Sequence, residues 1–183
     1  MKTLKLILIA FLMIGVQSLF AQKYISKDGH VWFNASTPLE NIEAHNRQSA
    51  SILDAATGEL VFNILIKSFE FKATLMQEHF NENYMESGKF PKATFKGKIT
   101  NLSAINFAKN GSYNADITGD LTIHGVTKPI NTKGLIVIKE GVITGTSKFI
   151  VEPKDYNIII PKLVEGKIAK QIEVNVDITY KKM

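Results

Sequence analysis

The chain's four histidines, His30, His45, His79 and His124, are the side chains that could bind a metal or transfer a proton near neutral pH. They are scattered, and no two lie four residues apart, as the histidines of a zinc-binding helix do. The sequence has no cysteine, no glycine-rich phosphate-binding loop and no Gly-x-Ser-x-Gly turn of a serine hydrolase. It therefore predicts neither a catalytic site nor a metal site, and no enzyme activity.

Composition and charge further limit the class of protein and the partners that it can bind. The chain of 183 residues is 45% apolar and 21% charged, which is typical of a globular protein. Its net charge is +5, but Arg47 is the only arginine among 22 basic residues. Proteins that read nucleic-acid bases depend on arginine for bidentate contacts, so we predict no nucleic-acid partner.

The first 21 residues have the pattern of a secretory signal peptide. Lys2 and Lys5 precede a charge-free run of 15 residues, and Ala21 offers a small residue for cleavage. The run is shorter than the roughly 20 residues that a membrane-spanning helix needs, so we expect removal rather than a retained anchor. The sequence thus predicts a periplasmic or secreted protein whose single domain is residues 22–183, without an integral membrane segment.

Alternation of apolar and polar residues predicts a mostly β structure. It is clearest over residues 113–123 and 172–180, where every second residue is apolar. Glu140-Gly141 separates two further candidate strands and predicts a hairpin turn. Weaker patterns predict the remaining strands at residues 30–37, 47–54, 60–68, 93–101, 128–140 and 142–151.

One segment, residues 73–86, has helical rather than strand periodicity, with apolar residues recurring at three and four positions. Thr74 is its predicted N-cap. About eight antiparallel strands and one helix predict an all-β fold, either a closed barrel or a sandwich. A barrel of this size can enclose one small ligand whereas a sandwich core is filled, and alternation alone does not distinguish them.

Three stretches resemble one family. They are LMQEHFNENYMESGKFPKATF at 75–95, GDLTIHGVTKPI at 119–130 and FIVEPKDYNIIIP at 149–161. All three are similar to the YceI-like family of exported polyisoprenoid-binding proteins. The resemblance implies an eight-stranded antiparallel lipocalin-like barrel with one inserted α-helix. It also implies a non-enzymatic protein that holds a long apolar chain, such as an isoprenoid quinone, an isoprenyl phosphate, or a fatty acid or amide.

The chain departs from this family in the helix. Many members have His-Leu-Arg-Ser where this chain has His79-Phe80-Asn81-Glu82. The arginine that could hold an anionic headgroup is therefore missing. We expect His79 either to meet the polar end of a ligand or to tie the helix to the barrel, and His124 to bond to the backbone as a turn residue.

The candidate ligand-binding residues are those that alternation and the resemblance place inside a barrel. Most are apolar, because a cavity for a long chain gains its affinity from apolar burial. His79, Tyr84 and Tyr156 are the candidate polar contacts. The full set is Phe62, Ile64, Ile66, Phe71, Leu75, Met76, His79, Phe80, Tyr84, Phe95, Ile117, Leu121, Phe149, Tyr156 and Ile158.

These observations predict an exported lipid-binding protein that serves in transport, storage or envelope stress. They imply no cofactor, although a bound isoprenoid quinone or other lipid is the expected ligand, and a homodimer is possible. The alternative is an envelope protein-interaction module whose core is filled by the same side chains.

Overall fold

The computed structural model describes residues 22–183, so the predicted signal peptide lies outside the described residues. Within these residues, nine strands and one α-helix make up the fold. The helix, α1, is Thr74–His79, and it continues as a π-helical turn over Phe80–Tyr84. The strands are β1 (Lys23–Asn34), β2 (Glu43–Asp54), β3 (Glu59–Leu65), β4 (Glu70–Phe71), β5 (Lys92–Ile99), β6 (Gly111–Ile123), β7 (Val126–Lys139), β8 (Val142–Val151) and β9 (Ile172–Lys182).

Eight of these strands close into a barrel. Each pairs antiparallel with the next along the chain, and β9 returns to pair with β1. The short strand β4 adds only to β2, where Ala44 lies opposite Phe71. The prediction of an eight-stranded antiparallel barrel with one inserted helix is confirmed, and the sandwich alternative is wrong.

The predicted elements differ from the observed ones mainly at their ends. Strand β8 has its predicted bounds, and the hairpin at Glu140-Gly141 is present, with positive φ angles of 52° and 80°. Strand β1 begins seven residues before the predicted start at His30, because a register shift between Ser26 and Gly29 interrupts its alternation.

The helical segment also differs from its prediction. Ala73 rather than Thr74 is the N-cap, and no side chain caps the helix. Thr74 is already helical, because the extended backbone that a cap requires lies one residue earlier, at Ala73. Gln77, which stands three residues after Thr74, accepts a hydrogen bond from the Phe71 backbone N–H at 3.3 Å.

The barrel has two different ends. One end carries Gln22 and Met183, the first and last of the described residues, together with the turns after β2 and β7 and the connection at residues 100–110. Apolar side chains pack it closed, and the Tyr180 hydroxyl is paired with Ser51 Oγ at 2.7 Å. Burial raises the pKa of Tyr180 well above its usual value. The other end carries the β6–β7 turn and the connections at residues 35–42, 66–91 and 152–171, which surround the open mouth.

Two of the barrel's ladders stop short of the mouth, and side chains bridge the gaps. The β2–β3 ladder ends at Ala50 and Asn63, beyond which Asn46 donates a side-chain hydrogen bond to the Leu65 carbonyl at 2.9 Å. The β7–β8 ladder ends at Gly134 and Ser147, where Ser147 Oγ donates to the Lys133 carbonyl at 2.8 Å. These bonds keep the wall continuous where the strands diverge.

A pair of glycines makes room for one ring inside the barrel. Gly97 on β5 lies directly opposite Gly119 on β6, and the Phe95 ring lies across both. A Cβ added at Gly119 would lie 2.5 Å from the Lys96 carbonyl oxygen and 2.6 Å from Phe95 Cζ. The close approach of the two strands here therefore requires glycine.

We predict that Gly119→Ala lowers the free energy of unfolding by about 1–3 kcal/mol, because the methyl group overpacks the wall and displaces the Phe95 ring. Urea unfolding followed by circular dichroism measures the change. Gly88→Ala is the control, since a Cβ there meets nothing within 4 Å. Equal stabilities of the two variants would contradict the prediction.

Candidate ligand-binding cavity

The barrel encloses one large cavity that opens at the mouth. Its volume is about 600 Å³, which lies within the usual range for small-molecule sites. Side chains from the inner faces of the strands form its wall, and α1 with its π-helical turn lies along the mouth. Nearly all of the lining is apolar, so the cavity favours an apolar occupant.

Every predicted ligand-binding residue lines this cavity. The strands contribute Phe62, Ile64, Phe95, Ile117, Leu121 and Phe149. The helical segment contributes Leu75, Met76, His79, Phe80 and Tyr84, the short strand β4 contributes Phe71, and the connections contribute Ile66, Tyr156 and Ile158. That these side chains contact a ligand remains a prediction.

Four phenylalanines hold the helical segment against the barrel. Phe80 lies with its ring centroid 5.5 Å from Phe33, 5.6 Å from Phe69 and 5.0 Å from Phe71. Contacts of this kind stabilise beyond simple burial. The sequence-based set missed Phe33 and Phe69, although both line the cavity. Strand alternation at Val31, Phe33 and Ala35 was the signal that could have found Phe33.

The three candidate polar contacts, His79, Tyr84 and Tyr156, differ in how far they lie from the mouth and in how deeply they are buried. His79 is exposed at the mouth, and within residues 22–183 neither His79 nor Tyr84 makes a side-chain hydrogen bond. The expectation that a hydrogen bond from His79 ties the helix to the barrel is therefore not met within the described residues. The phenylalanines make that connection instead.

Tyr156 is the buried polar candidate. The residue is 4% exposed and lines the cavity, and burial raises the pKa of its phenol, with a smaller contribution from Asp155. Its hydroxyl makes no hydrogen bond to any other described residue, although the Tyr156 backbone carbonyl does. The phenol can therefore donate a hydrogen bond to an occupant of the cavity.

His124 joins the three stretches that carry the family resemblance. As expected for a turn residue, it bonds to backbone: Nδ1 donates to the Tyr156 carbonyl at 3.1 Å. Its Nε2 lies 2.8 Å from Glu86 Oε2, and the Phe90 ring meets it edge-on with centroids 4.5 Å apart. Glu86 and Phe90 follow the helical segment, so this one side chain links that segment, the β6–β7 turn and the β8–β9 connection. We call these contacts the His124 junction.

Two other histidines meet on the outer face of the barrel. His30 Nε2 lies 2.9 Å from His45 Nδ1, and the ring of Trp32 stacks on His30 with centroids 4.4 Å apart. Burial lowers the pKa of His30, with smaller contributions from Arg47 and His45. Sequence spacing could not indicate this pairing, because it arises from the register of β1 with β2. Within residues 22–183, no group of three or more His, Asp or Glu side chains is arranged to hold a metal ion.

A closed barrel around an apolar cavity places the protein in the class of lipocalin-like barrels. The model of the YceI-like domain family matches residues 27–180. The chain therefore belongs to the YceI-like family, as the three stretches had indicated. No helix within the described part of the chain is long and apolar enough to cross a bilayer.

Two curated relatives match only in part. UPF0312 proteins of Vibrio parahaemolyticus and Pseudomonas fluorescens are each 38% identical to this chain, over 55 and 53 residues. The matched stretches cover 30% and 29% of this chain, and only 25% and 26% of those proteins.

Solved structures share the fold over most of their length. A polyisoprenoid-binding domain from Saccharophagus degradans, implicated in plant cell wall breakdown, has a TM-score of 0.76 at 13% identity, covering 89% of this chain and 99% of its own. BcnA of Burkholderia cenocepacia has a TM-score of 0.68 at 14% identity, covering 82% and 95%. The Campylobacter jejuni YceI protein has a TM-score of 0.60 at 18% identity, covering 80% and 88%.

We predict that His124→Asn lowers the free energy of unfolding by about 1–3 kcal/mol, because it leaves the Glu86 carboxylate and the Tyr156 carbonyl without their partner. Asparagine tolerates the positive φ of 51° at this position, so the loss reports the side-chain bonds. Urea unfolding measures it. His79→Asn, the same change at an exposed histidine, is the control and should have little effect; a similar loss in both variants would refute the role of the junction.

We also predict that the free energy of unfolding depends on pH through the protonation of His30. Its pKa is lower in the folded protein than its usual value of 6.5, so the unfolded chain binds a proton more readily. The contribution of His30 to stability is therefore complete above pH 6.5 and is lost as the pH falls through the folded pKa. Unfolding midpoints in urea, followed by the fluorescence of the single tryptophan, should decline less between pH 7.5 and 5 in His30→Gln than in the wild type. Parallel declines would contradict this.

Proposed function

We propose that this protein is a non-enzymatic, exported binding protein that encloses the apolar chain of one lipid-like molecule. The observation that carries the proposal is the apolar cavity of about 600 Å³ inside a closed barrel. The alternative of an interaction module with a filled core is less well supported, since the interior is not filled.

The energetics of such a cavity favour an apolar chain. Burial of about 300 Å² of apolar chain surface at roughly 25 cal/mol per Å² supplies about 7.5 kcal/mol. Part of this offsets the loss of translational and rotational freedom on binding. No charged anchor deep in the barrel is needed, because the chain itself supplies the free energy.

The volume limits how much of a ligand can be enclosed. At about 30 Å³ for each water-sized group, the cavity has space for about 20 such groups. A chain of about that many heavy atoms can lie wholly inside, whereas a longer isoprenoid must project through the mouth. The polyisoprenoid-binding domain of Saccharophagus degradans, with the same fold, supports a lipid-like ligand of this kind.

The proposal of export rests on the signal-peptide pattern of residues 1–21, and it makes the periplasm or the exterior the expected location. Transport, storage and a role in envelope stress are all compatible with a carrier of this kind. A homodimer remains a prediction.

Gly145 gives a direct test. It lines the cavity on β8, and the nearest atom to a Cβ added there is Tyr180 Cε2 at 3.9 Å. We predict that Gly145→Leu fills part of the cavity and lowers the amount of bound lipid about tenfold or more while the barrel stays folded. Native mass spectrometry of protein purified from its host, followed by organic extraction, measures bound lipid, and circular dichroism checks the fold.

Thr179→Leu is the matched control, because it places the same leucine side chain on the exposed face of β9. It should bind as much lipid as the wild type. Wild-type protein that carries no lipid, and takes up no quinone, isoprenol or fatty acid when these are offered, would refute the proposed function.

A further inference from the structure

Among the described residues, only two that line the cavity, Glu40 and Lys167, carry a full charge at neutral pH. Glu40 lies in the connection between β1 and β2, and Lys167 lies in the connection between β8 and β9. Both connections border the mouth. The charged part of the lining is therefore confined to one side of the entrance, and the wall below it is uncharged.

The two charged groups are close but do not satisfy each other. Lys167 Nζ lies 3.8 Å from Glu40 Oε2, which is longer than a hydrogen bond. Within residues 22–183, Lys167 Nζ donates no side-chain hydrogen bond, and its side chain is 54% exposed. The ammonium group therefore has donors free for a third group.

The backbone holds this lysine in place. The Ala169 N–H donates to the Ala35 carbonyl at 2.9 Å, which ties the two connections together. Apolar neighbours in the lining, Ile42, Val164 and Ile168, lie on the same two connections. An apolar chain that passes them into the barrel leaves its polar end beside the ammonium group.

The closed end cannot take a charged headgroup. Its polar pair, Tyr180 and Ser51, is already hydrogen-bonded and buried, and apolar side chains surround it. Burial of an unpaired charge there is strongly unfavourable. A ligand with a charged end must therefore bind with that end at the mouth.

We propose that Lys167 is the headgroup-binding residue for a single-chain amphiphile whose end is a carboxylate or a phosphate monoester, and that Glu40 weakens this attraction by its own negative charge. The inference rests on the proposed function and specifies the class of ligand. The opposing signs of the two residues make it testable, because a pair that only fastens two loops would respond in the same way to the loss of either partner.

The test compares pairs of ligands that share one apolar chain and differ in the end group, which is an anion in one member and an uncharged hydroxyl in the other. Hexadecanoate is paired with hexadecanol, and geranylgeranyl monophosphate is paired with geranylgeraniol, and affinities are measured by displacement of a fluorescent lipid from the delipidated protein. Lys167→Gln should weaken binding of the anionic members about fivefold and leave the alcohols unchanged, as expected for a partly exposed charge pair. Glu40→Gln should tighten binding of the anionic members about twofold, and added salt should reduce both effects.

Lys162→Gln is the matched control, because Lys162 is an exposed lysine in the same connection that does not line the cavity. It should change neither the affinity for the anionic ligands nor the affinity for the alcohols. The inference is overturned if Lys167→Gln weakens the acids and alcohols equally, if it changes neither, or if Glu40→Gln weakens the anionic ligands as Lys167→Gln does. If the wild type binds the probes and Lys167→Gln binds them equally well, this inference alone is overturned. If the wild type binds none of the four probes, the proposed function is overturned as well. The carboxylate and phosphate pairs show which anion is preferred.

Discussion

Pairing of the last strand with the first is the constraint on which the rest of the structure depends. Once β9 joins β1, the inner faces of all eight strands turn toward one another. Strands of this number leave an interior that side chains can fill or that can hold a ligand. Here Gly97 and Gly119 keep part of the wall thin and the inward side chains leave space. Closure also makes each local gap in a ladder costly, which explains the side-chain bridges made by Asn46 and Ser147.

The distribution of polar groups follows from the same closure. At the closed end, polar atoms are paired and buried, as Tyr180 and Ser51 are. At the mouth, Lys167 and Glu40 retain contact with water, which stabilises their charges. Tyr156 lies between these extremes, with a buried ring and a hydroxyl free of protein partners in the described chain. The interior thus becomes more polar toward the mouth, and this gradient favours one orientation of an amphiphile.

The sequence predicted most of the residues that face the inside of the barrel. It predicted few of the contacts between segments that are distant along the chain. Alternation along β6, β8 and β9 identified inward residues, because a two-residue period follows directly from the geometry of a strand. It failed at the start of β1, where the register shifts after Ser26. Contacts between distant segments, such as His124 with Glu86, have no local signal, since 38 residues separate them. The same holds for Lys167 and Glu40, which meet only because two long connections border one mouth.

The positions of Lys23 and Met183, at the start of β1 and directly after the end of β9, have a practical consequence. The Met183 backbone N–H donates to the Lys23 carbonyl at 2.9 Å, so the two ends of the barrel's chain are neighbours on the side away from the mouth. A short peptide could join them, and new ends could then be opened at an exposed turn without breaking any ladder. A tether or label attached at the C-terminus would likewise leave the entrance unobstructed. The protein could therefore be immobilised on a support with its mouth facing the solution.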